Sequence, residues 1–244
     1  MTPLQQTRLE KAAADCGFEL PPVLSDDALV LRSTRFPEAV SVRMRDDASF
    51  DLAAPSALML PASARDGVLQ VHGFDALYDT LLKAAAAART MPNRVAEKFG
   101  AITANLPRST EAERLVVQRV GQDLFRGALL DYWQGRCCVT GLDVPELLRA
   151  SHIRPWAMCE RDEERLDVFN GLLLSPNLDA LFDGGWITFA PDGKMLVSAA
   201  LPSTALGALG IAADCQVQGL QARHEQYLEF HRQRVFRGNI GSSR

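Results

Sequence analysis

The 244-residue sequence has no uninterrupted apolar run near the roughly 18 residues that a membrane helix needs, so it is not expected to span a bilayer. Its first residues, MTPLQQTRLEKAAADCG, lack the basic-then-apolar order of a secretory signal, which makes the cytoplasm the expected compartment. Paired cysteines are missing as well. Cys16, Cys137, Cys138, Cys159 and Cys215 are odd in number and irregularly spaced, with no C-x-x-C pair. They outline neither a disulfide framework nor a zinc knuckle, and buried free thiols are expected instead. Basic charge is also short: 26 Lys and Arg against 30 Asp and Glu leave a net charge of −4. That balance argues against tight, non-specific coating of nucleic acid, while leaving room for a local basic cluster.

What remains is ordinary for a globular chain, 47% apolar and 23% charged, and long enough for one large domain or two modest ones. Residues 3–15 carry apolar positions at helical spacing. ALVLRS (28–33), AVSVRM (39–44) and GVLQVHG (67–73) read as strands bounded by Pro, Asp or Gly. FDALYDTLLKAAAAA (74–88) reads as a helix without breakers. Residues 1–90 therefore form an α/β module without a catalytic motif, in which His72 is expected to be structural. Two prolines and a polar close place a linker at 91–109. A second domain, 110–244 with its core at 136–200, opens on a long helix over 109–133 with an acidic first turn. Gly121 sits inside that helix, which close packing of another element would explain. GWITFAPDGKMLVSA (185–199) reads as a hairpin around Pro191-Asp192-Gly193, and 221–236 as a polar C-terminal helix.

The chemistry concentrates in RASHIRPWAMCERDEERLDVFNGLLLSPNLDALFD, residues 149–183. RASHIR and GLLLS have strand character, and Pro176 suits the first turn of a following helix. Asp179 and Asp183 are four apart and share one helical face. Two strands and a helix can thus set His152 opposite two carboxylates, an arrangement suited to a hard divalent ion and a base that deprotonates water. The same residues also suit a solvated helix face, a hydrogen-bonded histidine and an ordinary Asn-Gly turn. Spacing alone leaves both readings open.

The ordered motifs RCCVTG, LLRASHIRPWA and NGLLLSPNLDALFDGGWITF resemble the HNH endonuclease family, in particular a branch with HI-x-PW, NGL-x-L and LFD segments. The resemblance extends upstream to RVGQDLFRGALLDYW and downstream to YLEFHRQRVF, covering roughly residues 110–236. It implies an α+β chain in which the N-terminal α/β module precedes a ββα-metal nuclease domain with flanking helices. It implies a metal-dependent enzyme that hydrolyses DNA phosphodiester bonds, in restriction or another defence against foreign DNA. His152 matches the family's general base and Asn170 the amide that constrains the loop and orients it. Asp179 and Asp183 match metal-ligand positions, which with oxygen donors favour one Mg²⁺ or Mn²⁺ ion.

Ser151 departs from the pattern, since many members carry a ligand immediately before the histidine. It keeps alive the alternative of a catalytically inactive, DNA-binding or regulatory subunit. With no cysteine pairs, no structural zinc is expected. Arg154, Arg126 and Gln122 are candidate DNA contacts, with Arg126 and Gln122 equally suited to packing on the hairpin. Trp156 flanks the base and reads as core. His224 and His231 share one face of the last helix and, with Arg223, Arg232, Arg234 and Arg237, could form a basic patch or a solvated face. DNA is the expected partner, no membrane is, and a homodimer or partner subunit fits cutting of both strands.

Overall fold

The computed structural model describes residues 2–238 except 47, 61–63, 92 and 108. Parts of the expected linker and the last residues of the second domain therefore lie outside the described residues. The chain is α+β and divides into two compact units, residues 1–91 and 92–244. Among the described residues no helix is long and apolar enough to cross a membrane.

In the first unit, helix α1 (Pro3–Asp15) starts with Pro3 and a reciprocal cap between Thr2 and Gln5. Five strands follow: β1 (Leu20–Ser25), β2 (Ala28–Arg32), β3 (Val40–Met44), β4 (Ser49–Ala53) and β5 (Val68–His72). Each pairs antiparallel with its sequence neighbour, in the order β1-β2-β3-β4-β5. Asp26 and Asp27 close the first hairpin, both at positive φ, as a primed two-residue turn requires. Leu29, Leu31, Val40, Val42, Phe50, Leu52, Leu69 and Val71 alternate inward under α1 and helix α2 (Phe74–Arg89). His72 is exposed on the opposite face, its Nδ1 3.0 Å from Ser49 Oγ, the structural role expected.

The second unit begins with helix α3 (Arg94–Thr103), which occupies part of the stretch read as linker. It packs on helix α4 (Glu111–Tyr132), whose first turn is closed by a Thr110–Glu113 capping box. The ring of Trp156 lies directly over Gly121: a Cβ there would come within 2.6 Å of it. The mid-helix glycine is thus the close approach that its position suggested. Strand β6 (Arg149–His152) leads through the single turn α5 (Asp162–Arg165) to strand β7 (Gly171–Leu174). The two strands pair antiparallel, with Ser151 opposite Leu172 and His152 opposite Gly171. Helix α6 (Pro176–Asp183) follows, with Pro176 in its first turn, and completes a ββα unit. Strands β8 (Ile187–Phe189) and β9 (Met195–Val197) form the second hairpin. The short helix α7 (Ala205–Ala208) then leads to α8 (Ala222–Arg234).

Helix α8 corrects one reading: His224 and His231 are buried, 0% and 1% exposed, and belong to no surface patch. His231 stacks on Phe182 at 3.9 Å and bonds Thr188 Oγ1 and the Phe182 carbonyl. His224 packs among Tyr132, Trp133 and Phe169. Burial holds both imidazoles down at about 4, so they are neutral packing groups. Arg223 faces Asp167, and Arg232 pairs with Glu225. Heptad spacing correctly placed both histidines on one face, but that face is the packed one.

Candidate active site

Consecutive residues of a strand point to opposite faces, and β6 uses this to separate two kinds of chemistry. Ser151, only 2% exposed, points toward α6, where its hydroxyl donates to Asp183 Oδ1 at 3.1 Å. His152 points toward α4, where its ring stacks on Phe125 with centroids 3.8 Å apart and planes 16° from parallel. The edge of Trp156 closes a third side at 5.5 Å. Gly171 opposite His152 makes room for this, because a Cβ there would lie 2.6 Å from Phe125 and 2.7 Å from Leu129.

His152 Nε2 lies 2.8 Å from the carbonyl of Arg165. A carbonyl only accepts, so Nε2 carries the proton and Nδ1 keeps its lone pair. Nδ1 has no partner among the described residues and is not one of the sealed-off polar atoms. Desolvation by the aromatic cage pushes the imidazole down to about 4, and the carbonyl offsets only part of this. The ring is neutral at physiological pH, with one basic nitrogen to offer.

Asn170 is completely buried and fully engaged. Its Oδ1 accepts from Arg154 N at 2.7 Å, while Nδ2 donates to Glu164 O at 3.0 Å, Arg154 O at 3.2 Å and Cys159 Sγ at 3.4 Å. The amide ties both ends of the β6–β7 connection together. One residue beyond Glu164 is Arg165, whose carbonyl holds His152.

Asp179 and Asp183 lie one turn apart on α6, facing the Ser151 side of β6. Desolvation raises both carboxyls, and Asp179 raises Asp183 further by repulsion. The Ser151 hydroxyl stabilises each charge, and Arg149 draws Asp179 downward. Arg149 shares the Ser151 face through its i−2 position and is exposed, a cation beside the carboxylates that the sequence reading missed. Among the described residues no cluster of three or more His, Cys, Asp or Glu side chains forms a metal cage. Two carboxylates and a hydroxyl nevertheless fit Mg²⁺, which takes one or two carboxylates and fills its octahedron with water and phosphate. The same all-oxygen set suits Zn²⁺ poorly.

The other candidates divide. Arg126 donates from both terminal nitrogens, to Leu148 O and Pro145 O at 2.7 Å each, bracing the segment that enters β6. Arg154 donates to Met158 O at 2.9 Å, faces Glu164 at 3.7 Å and lies over Phe230 at 4.8 Å. Both guanidiniums are held by the protein. Gln122 is exposed on α4. Trp156 is half-buried between Gly121 and His152. Phe125 and Arg165 complete the histidine's surroundings. The apolar spacing of α4 carried the signal for Phe125, but no motif marked Arg165.

Residues 137–190 match the family model for HNH endonuclease, a span containing β6, β7, α6 and every residue of the site except Phe125 and Gln122 and Arg126 on α4. No curated protein matches the chain.

Proposed function

We propose that the second unit is a metal-dependent HNH endonuclease that hydrolyses DNA phosphodiester bonds. The observation that carries this reading is the state of His152: neutral, caged, with Nε2–H fixed on a carbonyl and Nδ1 left without a partner among the described residues. The structural histidines of this unit look different: His231 engages both nitrogens, and the unpartnered Nε2 of His224 is sealed inside the packing, whereas Nδ1 of His152 is not among the sealed-off atoms. In the proposed reaction Nδ1 takes the proton of a water that attacks phosphorus, and Asn170 holds the loop that orients the ring. Asp179 and Asp183, with the Ser151 hydroxyl, would hold one Mg²⁺ or Mn²⁺ ion. When bound, that ion supplies charge stabilisation to the scissile phosphate and the leaving 3′-oxygen. Arg149 is placed to draw phosphate toward the carboxylate face, and Gln122 remains an exposed candidate for DNA contact. Arg126 and Arg154 serve as loop struts. A role in restriction or defence, with the first unit as recognition module, extends the same reading by analogy of architecture.

Plasmid cleavage by the purified protein with Mg²⁺, Mn²⁺ or EDTA, beside His152→Ala, tests the proposal. Metal-dependent cutting that disappears in the variant is expected; cutting that survives His152→Ala refutes the assignment. Ser151 supports a second reading, a binding subunit without catalysis, because a hydroxyl is a weak ligand. That reading holds if neither protein cuts plain or modified DNA and Mg²⁺ gives no thermal stabilisation.

A further inference from the structure

His152 is fixed by a residue whose side chain also builds the surrounding loop. The guanidinium of Arg165 turns back into the β6–β7 connection. Its Nη1 donates to Asp162 Oδ1 at 2.9 Å, Nε to Trp156 O at 3.4 Å and Nη2 to Cys159 O, and the group lies 5.9 Å from the Trp156 ring. The carbonyl of the same residue is the acceptor for His152 Nε2. Trp156, held through its own carbonyl by Arg165, supplies the edge against the imidazole. The segment has little regular structure of its own: two one-turn 3₁₀ helices, Trp156–Met158 and Val168–Asn170, and the single turn α5. The placing of the carbonyl therefore depends on side-chain ties. Asn170 provides one at Glu164, the Glu164 carboxylate another at Glu160 N, Arg154 one at Met158 O, and Arg165 three more.

We propose that Arg165 is a positioning residue for the general base: its guanidinium ties residues 156–162 to the α5 turn, and so sets the tautomer and orientation of the His152 ring. The inference rests on reading His152 as the base. The geometry needs a planar group with several donors in fixed directions, which lysine lacks although it keeps the charge.

Nitrogen-15 NMR of histidine-labelled protein, free of metal and DNA, tests this apart from activity, because imidazole nitrogens with and without a proton resonate far apart. In the wild type His152 is expected as a single Nε2–H tautomer. Arg165→Lys and Arg165→Ala should give a mixed-tautomer signal for His152, with the buried His224 and His231 unchanged as internal reports of folding. Cleavage should fall about 10-fold for lysine and about 100-fold for alanine in kcat, with KM little altered, as expected when a reacting group is misplaced but substrate contacts remain. An unaltered His152 signal in both variants overturns the proposal. If alanine also erases the His224 and His231 signals, lysine decides. Their loss in both variants overturns the proposal too, since Arg165 would then hold the whole unit. A tautomer that responds in a protein that cuts no DNA would overturn the general-base reading and with it the positioning role in catalysis, leaving only the hold of Arg165 on the His152 ring.

Discussion

Replacing Asn170 with alanine should destabilise the second unit by about 3–5 kcal/mol, judged from the groups it would orphan. The side chain is 0% exposed and satisfies Arg154 N, Arg154 O and Glu164 O, with a weaker contact to Cys159 Sγ. Each buried backbone group left without a partner costs about 1–3 kcal/mol, and the loop's partial exposure to water places the sum toward the lower end. Even so, this is a large part of the roughly 5–15 kcal/mol that separates a folded domain from its unfolded chain. Asn170→Asp sharpens the test, since it keeps the shape but turns two donors into an acceptor facing two carbonyls. It should be at least as damaging as alanine. Urea denaturation followed by tryptophan fluorescence isolates the relevant unit, because Trp133, Trp156 and Trp186 all lie in it. A loss below about 1 kcal/mol for both variants would show that Asn170 is not the tie described and would leave the placing of Arg165 and His152 unexplained.

Gly121→Ala, a change that favours an ordinary helix by about 1 kcal/mol, should instead destabilise by about 1–3 kcal/mol, because the new methyl meets Trp156; an increase in urea midpoint would contradict the packing. Stability should fall on acidification. His224 and His231, held near 4 when folded, regain an ordinary pKa near 6.5 on unfolding, so the unfolded chain binds protons first as pH drops. Each contributes about 3 kcal/mol that is present above pH ~6.5 and lost by pH ~4; a urea midpoint flat across that window would refute it. Ser151→Asp, which supplies the ligand type the hydroxyl replaces, should lower the melting temperature in EDTA by adding a third carboxylate. It should also enlarge the upward shift produced by Mg²⁺, and a shift no larger than wild type would place the ion elsewhere.

Where periodicity was strong, the sequence was a good guide: α1, α2, α4, the β8–β9 hairpin and α8 lie within a few residues of their expected limits. It failed where tertiary pairing overrides local pattern. β1 reads LPPVLS, with two prolines tolerable only on a sheet edge, and the edge is its place in the order. β4 carries Asp51 in its middle, a buried side chain whose Oδ2 pairs with Arg45 at 2.5 Å. In the candidate site, His152, Asn170 and the Asp179–Asp183 pair were singled out from the sequence because motif order adds to spacing. Arg149 and Arg165 were not. What each does depends on which face of β6 it meets, or on a loop that doubles back. The same blindness made α8 look like a solvated or basic helix, since a histidine at heptad spacing reads alike whether it faces water or Phe182.

The one-residue step from Ser151 to His152 is the feature that would let the proposed base and the proposed cation site occupy the same four-residue strand. A histidine on the carboxylate face would be drawn toward its protonated form by Asp179 and Asp183, and a protonated imidazole takes no proton from water. Carboxylates on the aromatic face would be driven neutral and lose their hold on a cation. Alternation along β6 avoids both outcomes. The imidazole is desolvated against Phe125 and Trp156 and pushed down to about 4, while the carboxylates keep a hydroxyl and Arg149 for company and are raised only in part. Two titratable sets, pushed in opposite directions by environments one residue apart, are what acid–base chemistry beside a metal ion needs. A one-residue slip in the β6–β7 register would put His152 among the carboxylates and abolish the arrangement without changing the composition of the site.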